Sequence, residues 1–327
     1  MRWLLFASAI AGLVACDAPE TRGKTPAEIV NDVADRYYDW QLANTPEYAY
    51  FAGIEPERHD GLRDISPAAL AEAWQMEDAL LADIGGVDVT ALAGQPEWVT
   101  FALLEQELRS AIELRVCRRD LWDVNQMGGW HLAYAQVAAL QPVDTPEQRR
   151  QALARWTAYP ALVDQAIANL RDGIAKGYSA PQSVVRRVVA QLDGVLALAT
   201  GDSPYFSMAS RAADDEFAER MTALLEEGIH PALRRYRDYL ANDYLEAARS
   251  ELSVTANPDG AACYEAMLRS YTTLDRSGAA VYELGKQVVA ANKAEVVARG
   301  GAAYGLDEFA AILEAAKADP QDRFTGP

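Results

Sequence analysis

One stretch of the sequence carries apolar residues at the spacing of an α-helix over several turns. These residues are Val184, Val185, Val188, Val189, Leu192, Val195 and Leu196. Because an α-helix has 3.6 residues per turn, this spacing places them on one continuous face that other parts of the chain must cover. Ser179-Ala180-Pro181-Gln182, immediately before them, is typical of a helix start. The stretch predicts a central helix within a core of further helices.

Helix starts recur along the rest of the chain. Thr25-Pro26-Ala27-Glu28 and Thr145-x-x-Gln148 match the capping box, in which a Thr and a Glu or Gln three residues later bond each other's backbone. Alternation with period two is scarce. We therefore predict an all-α protein, a multi-helix array with long helices and few or no strands. The expected helices run from Thr25 to about Leu42, Ser66 to Gly85, Pro96 to about Leu114, Thr145 onward, Pro160 onward, Arg211 to Glu227, and Pro231 to Leu245.

Composition limits the partners of this protein. The chain has 327 residues, of which 50% are hydrophobic, enough to bury the core of one large helical domain or two smaller ones. Its formal net charge is -18. A protein that binds nucleic acid needs a basic face to displace counterions from the phosphates, so we predict no nucleic-acid partner.

The N-terminal residues have the pattern of an export signal. Arg2 precedes an apolar run from Leu4 to Val14. Leu13-Val14-Ala15-Cys16 resembles the lipobox of bacterial lipoproteins, in which cleavage before the cysteine leaves that residue to carry the lipid. An ordinary secretory peptide or an uncleaved anchor is the alternative interpretation.

From this pattern we expect three parts: a lipoprotein signal peptide over residues 1–15, a polar tether over residues 16–24 and a helical domain over residues 25–327. Lipidation at Cys16 makes the membrane a partner. It places the protein in the bacterial cell envelope, lipid-anchored on the periplasmic face, with the inner and the outer membrane both open. After lipidation only Cys117 and Cys263 remain. Their spacing favours no pairing, and we expect two buried free thiols.

Two segments contain more polar and aromatic groups than a core requires. The stretch from Trp122 to Trp130 is irregular and contains a side-chain amide at Asn125. This stretch either lines a pocket or is a loop that its buried aromatic residues fix to the helices. Asn257-Pro258-Asp259-Gly260 is a turn signal followed by a helix. The candidate cleft-lining residues are Trp122, Asn125, Trp130, Tyr264, Arg269, Tyr271 and Thr272. Helix packing and surface ion pairs are the alternative role of the last four.

Motifs for catalysis and metal binding are missing from the sequence. A zinc hydrolase needs His and carboxylate ligands at helical spacing, whereas the three histidines, His59, His131 and His230, are far apart in the chain. Glu227 lies three residues before His230, but Pro231 follows, and we interpret His230 as a helix-terminal histidine. We assign no catalytic residue and no metal ligand.

Four segments together resemble a known bacterial family. They are Asn169 to Pro181, Asp243 to Arg249, Pro258-Asp259-Gly260 with Tyr264 and Tyr271-Thr272-Thr273, and Glu283-Leu284-Gly285. In this order they resemble the N-terminal half of the domain of unknown function 885 family, helical lipoproteins or secreted proteins related to zinc metallopeptidases. The sequence has Glu246 where that family usually has proline.

The resemblance implies peptidase ancestry without peptidase chemistry. The family's presumed metal-binding segment, His-Glu-x-x-Pro-Gly-His, lies in a second half that follows a region like Phe309 to Thr325, and no residue of it can be carried over to this chain. Zinc is therefore expected only in full-length relatives. The leading hypothesis is a lipoprotein that is non-catalytic alone, either truncated or dependent on a separately encoded C-terminal half, with a tendency to self-associate. A helical scaffold that binds a peptide or a glycan, or a peptide hydrolase with an unrecognised site, remains open.

Overall fold

The computed structural model describes residues 23–322 and is all-α there. The helices are α1 (Pro26–Asn44), α2 (Tyr48–Ala52), α3 (Pro67–Gly85), α4 (Glu97–Leu114), α5 (Trp130–Leu140), α6 (Pro146–Ala175), α7 (Gln182–Leu196), α8 (Ser207–Ala212), α9 (Asp215–Leu224), α10 (His230–Asp238), α11 (Leu245–Ala247), α12 (Gly260–Thr272), α13 (Gly278–Tyr304) and α14 (Phe309–Ala318). Within the described residues, extended pairing is confined to one isolated bridge between Pro181 and Arg249. The prediction of an all-α array is confirmed. No helix in residues 23–322 is long and apolar enough to cross a membrane.

The helix starts predicted at Thr25, Ser66 and Thr145 are confirmed, whereas the helix expected from Arg211 begins at Asp215, after Ala213 leaves the helical conformation with a φ of 48°. Thr25 and Thr145 both form complete capping boxes, with Glu28 and Gln148 as the reciprocal partners. Ser66 caps α3 by accepting a hydrogen bond from the Ala69 amide. These side chains satisfy amides that have no partner within their own helix, so local chemistry fixes the helix starts before any packing is considered.

The prediction of a new helix at Pro160 is wrong, because α6 runs through this proline without interruption. Proline lacks an amide proton and normally breaks or kinks a helix. Here Trp156, Tyr159 and Val163, on both sides of it, are fully buried. The burial of three large side chains is worth several kcal/mol, more than the roughly 3 kcal/mol that an interior proline costs.

A similar correction applies between α9 and α11. The break expected at Pro231 is wrong: residues 215–247 form one continuous helical segment through two π-helical stretches, Leu225–Ile229 and Tyr239–Tyr244. The first π-helical stretch ends directly before His230-Pro231, where the proline removes a helical hydrogen bond. His230 is therefore buried inside the segment and is not helix-terminal, as we had interpreted it.

Two hydrophobic clusters form the interior. The larger one surrounds α6 and takes in α5, α7 and the segment from α8 to α11. The smaller one joins α1, α3 and α4 through residues such as Val30, Leu80 and Leu108. Between α2 and α3 runs an irregular connection, residues 53–66, which packs against the larger cluster through Leu62 and Ile65.

The expectation of free thiols is also wrong, since Cys117 and Cys263 form a disulfide. Both residues are buried, as expected, but α12 packs along α4 and the turn after it, which brings the two Cα atoms to 4.7 Å. That separation suits a disulfide, and sequence spacing carries no information about it because 146 positions separate the cysteines. The bond ties α12 to the helices of the smaller cluster.

Removing this disulfide should destabilise the fold. The double substitution Cys117→Ser/Cys263→Ser is expected to lower the free energy of unfolding by about 2–4 kcal/mol, because the unfolded chain loses a long covalent loop. Urea unfolding followed by circular dichroism measures the difference. Dithiothreitol should lower the urea midpoint of the native chain and leave that of the double variant unchanged. An equal response of the two proteins would contradict the assignment.

Candidate functional site

A cavity of about 390 Å³ lies against the middle of α6 and opens to solvent on one side. Its floor is made by Leu162, Ala166 and Leu170 of α6. The walls come from α5 on one side and from the connection and α3 on the other. The wall residues are Asn44, Arg63, Asp64, Ile65, Ala69, Leu70, Ala73, Arg119, Asp120, Asp123, Trp130, Tyr134 and Asn169.

Trp130 reaches the cavity because the chain turns sharply just before α5. The Asn125 side chain accepts hydrogen bonds from the amides of Met127 and Gly128, at 2.8 and 3.3 Å. A Cβ on Gly129 would collide with the Asn125 carbonyl oxygen, so only glycine permits this close approach. The turn directs Trp130 onto Tyr236, with 4.7 Å between the ring centroids.

A buried carboxylate supports the cavity wall from behind. Glu47 is 5% exposed, and its Oε1 accepts hydrogen bonds from the Tyr134 hydroxyl at 2.8 Å and the Arg63 amide at 3.0 Å. Burial, reinforced by the negative charge of Glu47, raises the pKa of Tyr134, which therefore stays a donor at neutral pH. Two elements of the wall, α5 and the connection, are thus held by one side chain.

Arg155 of α6 is fully buried and fastens the connection to the helix. Its Nε donates to the Gly61 carbonyl at 2.7 Å, and its Nη1 donates to the Tyr50 hydroxyl at 2.8 Å and to Gln141 Oε1 at 3.2 Å. Its guanidinium carbon lies 5.1 Å from the Tyr50 ring centroid. Charge-assisted bonds to a carbonyl and a hydroxyl, with a cation–π contact, stabilise the buried cation.

Further along, the Asn169 side chain donates to the Ile65 carbonyl at 2.8 Å. The His59 amide donates to Gln151 Oε1 at 2.7 Å. The polar, Gly-containing connection is therefore ordered by side chains of α6, and it forms one edge of the cavity.

Of the first group of candidate residues, Trp130 alone lines this cavity. Trp122 donates its indole N–H to the Cys117 carbonyl at 2.8 Å, and the Arg249 guanidinium lies 5.4 Å from its ring centroid. Asn125 forms the turn described above. Trp122 and Asn125 thus order the loop before α5, and whether they also meet a ligand stays a prediction.

The second group of candidates lies on α12, apart from the cavity. Arg269 donates to Glu113 of α4 at 3.3 Å, and the Thr272 hydroxyl donates to the Leu268 carbonyl at 2.8 Å. Tyr264 and Tyr271 are exposed, and the Tyr264 ring packs against Gly278 at the start of α13. A role of these four residues in lining a cleft stays a prediction.

Helix α13, which follows, has an unusual surface. Apolar residues are distributed all around it, yet none of its 27 residues is buried. The exposed ones include Tyr282, Leu284, Val288 and Val289. Two of its glycines are approached closely by other helices: Gly278 by the Tyr264 ring of α12, and Gly300 by Ile312 of α14, where a Cβ would collide with the Ile312 side chain.

Each histidine takes part in a structural contact. His59 Nδ1 lies 2.9 Å from the Tyr50 hydroxyl, His131 Nε2 lies 3.0 Å from Gln191 Oε1, and His230 Nε2 lies 3.4 Å from Ser203 Oγ. Burial lowers the pKa of His131 and of His230, which favours their neutral forms. Residues 23–322 contain no group of three or more His, Cys, Asp or Glu side chains that could hold a metal ion.

Sequence reasoning missed the residues that build the cavity, above all Glu47, Arg63, Tyr134 and Arg155. One signal was present: Arg155 lies at helical spacing from residues of the apolar face of α6, where a charged side chain needs an internal partner. Glu47 and Arg63 carried no comparable signal, because they are polar residues in or near a predicted loop.

Comparisons with known proteins agree with this architecture. The crystal structure of a protein from Colwellia psychrerythraea, described as a candidate lipoprotein, superposes with a TM-score of 0.77 over 91% of this chain, at 14% identity. At that identity the likeness shows the fold alone. This chain spans 55% of the length of the Colwellia chain. A comparison with curated protein sequences found no match.

A family model gives the strongest link. The model described as "Bacterial protein of unknown function (DUF885)" matches residues 46–327, which is most of the chain. This match confirms the resemblance predicted from the segments between Asn169 and Gly285. The protein belongs to the DUF885 family of bacterial proteins.

Proposed function

We propose that this protein is a lipid-anchored component of the bacterial envelope whose helical domain forms one side of a larger peptidase-like protein and does not hydrolyse peptides alone. The observation that carries the proposal is α13, a 27-residue helix with no buried residue whose exposed side chains include Tyr282, Leu284, Val288 and Val289. Large apolar side chains exposed together on a surface mark a place where another polypeptide packs. We therefore assign α13 as the surface on which a further helical polypeptide packs.

The Colwellia structure supports this assignment by its length. It shares the fold of this chain at a TM-score of 0.77, yet this chain spans 55% of its length. A protein of the same fold thus carries a substantial further segment. In our proposal, a segment of that kind covers α13 and, with it, the neighbouring exposed Tyr264 and Tyr271 of α12.

An envelope location is supported by three separate observations. Leu13 to Cys16 has the lipobox pattern, although these residues lie outside the described part of the chain, as does most of the proposed tether. The Cys117–Cys263 disulfide suits an oxidising compartment beyond the cytoplasm. The Colwellia protein is itself described as a candidate lipoprotein.

The proposal that the isolated chain does not hydrolyse peptides is supported by the contacts of its histidines and cysteines. His59, His131 and His230 are each engaged in a contact that stabilises the fold. Cys117 and Cys263 are held in the disulfide. In our proposal, zinc and the residues that bind it belong to the further segment found in full-length relatives.

A second candidate function is favoured by the cavity. An open cavity with an apolar floor and aromatic side chains in its wall is a common form of small-ligand site. A helical binding lipoprotein, with a peptide or a glycan as ligand, would use this space without further polypeptide.

One prediction of this proposal concerns the lipid anchor. The Cys16→Ser variant cannot accept the lipid, so we expect it to leave the membrane pellet and to appear in the soluble periplasmic fraction or with its signal peptide uncleaved. Incorporation of radiolabelled palmitate should be seen in the native chain and lost in this variant. Cys117→Ser, which keeps Cys16, is the matched control and should still be labelled. Labelled C16S protein would contradict the anchor.

A further prediction concerns α13. Its exposed apolar side chains, without their polypeptide partner, should cause self-association, and Val289→Glu should weaken this self-association about tenfold, because a charge replaces a contact worth roughly 1.4 kcal/mol or more. Light scattering of the full chain in detergent, over a range of concentrations, measures the effect. Val99→Glu on α4 is the matched control, since Val99 and Val289 are both 53% exposed. A native chain that stays monomeric, or equal effects of the two substitutions, would contradict the assignment of α13.

A further inference from the structure

The rim of the cavity carries charged groups that form no ion pair with any other residue in the described range 23–322. Arg63 and Arg119 are exposed cavity residues, and neither guanidinium forms an ion pair within residues 23–322. The exposed carboxylate of Asp123, on the same cavity, is likewise unpaired in the described part of the chain. Asp120 differs, because Arg118 binds it at 3.0 Å. The opening therefore offers two free cations and a free anion to a ligand.

Below the rim the lining of the cavity is mostly apolar, with the Asn169 amide and the Tyr134 hydroxyl as polar groups. Leu162, Ala166 and Leu170 form its floor, and the Trp130 indole lies in its wall. The volume of about 390 Å³ is within the range of small-molecule sites. A ligand that fits has an apolar body of modest size and charged groups of both signs at its outer end.

We infer that the cavity binds a short zwitterionic peptide with apolar side chains, about two residues long. The free C-terminal carboxylate binds the guanidinium groups of Arg63 and Arg119. A guanidinium suits this role because its N–H groups can donate two parallel hydrogen bonds to one carboxylate. The free ammonium group binds Asp123, and an apolar side chain of the peptide packs on the floor of the cavity against Leu162. The inference holds whether or not a further polypeptide covers α13.

The rim is fixed before any ligand arrives. Glu47 accepts hydrogen bonds from the Arg63 amide at 3.0 Å and from the Tyr134 hydroxyl at 2.8 Å. Asn169 donates a hydrogen bond to the Ile65 carbonyl at 2.8 Å. The neighbouring Asp64 accepts from the Ser66 amide at 2.8 Å. Because the backbone around Arg63 is ordered by internal bonds, binding has to order the arginine side chains but not the backbone that carries Arg63.

Isothermal titration calorimetry of the full chain in detergent micelles tests this inference. The probes are leucyl-leucine, which has both free termini, and N-acetyl-leucyl-leucine amide, which has the same side chains and no terminal charges. We expect leucyl-leucine to bind at least about tenfold more tightly, since each charge-assisted contact contributes more than a neutral one. The disaccharide of N-acetylglucosamine serves as a glycan probe and should not bind.

Two substitutions locate the site. Arg63→Gln/Arg119→Gln should weaken binding of leucyl-leucine by about tenfold or more, and should leave the weak binding of the blocked dipeptide unchanged. The fold should survive, because Glu47 bonds the backbone amide of residue 63 and not its side chain. Arg187→Gln is the matched control: this exposed arginine of α7 lies outside the cavity and should have no effect.

Several outcomes would overturn the inference. Two of them concern the dipeptides: equal affinity for the free and the blocked dipeptide, or no binding of either by a chain that thermal unfolding shows to be folded. The third is native affinity for leucyl-leucine in the Arg63→Gln/Arg119→Gln variant. The fourth is binding of the disaccharide in place of the dipeptide. A melting temperature of each variant close to that of the native chain excludes unfolding as the cause of lost binding.

Discussion

Burial of α6 on most of its sides is the constraint on which the rest of the structure depends. Its buried residues include Trp156, Tyr159 and Val163, which meet α5, α10 and the turn that contains Tyr205. At a buried position of this helix water cannot reach a charged side chain, so Arg155 has to find its partners inside. It finds them in Gly61 and Tyr50, which come from the connection and α2. One buried cation thereby sets the position of a segment that has no regular structure of its own.

The cavity is a consequence of that arrangement. The connection is held to α6 at Gly61 by Arg155 and at Ile65 by Asn169, and Glu47 joins it to α5. The space between these anchoring points is left open, with an apolar floor from α6 and charged side chains at its edge. The elements that stabilise the fold thus also hold the groups to which we assign ligand binding.

Much of the fold could be predicted from the sequence, but little of the site. Helix starts at Thr25, Ser66 and Thr145 depend on hydrogen bonds within a few residues, which sequence shows directly. The continuity of α6 through Pro160 and the pairing of Cys117 with Cys263 depend on packing between distant parts of the chain, and both were predicted wrongly. The cavity joins residues from Asn44 to Leu170 that no local pattern connects. The family resemblance was right because it rests on segments, not on spatial contacts.

The central claim is that this helical domain serves a peptidase-like protein without being a peptidase itself. The most direct measurement is hydrolysis of a mixture of internally quenched fluorescent peptides by the purified full-length chain, with added zinc and with a chelator, and with a known zinc peptidase as positive control. The account predicts no hydrolysis above that of a heat-denatured sample and less than one tightly held zinc ion per chain. Hydrolysis that co-purifies with the chain and stops when the chelator is added would contradict it.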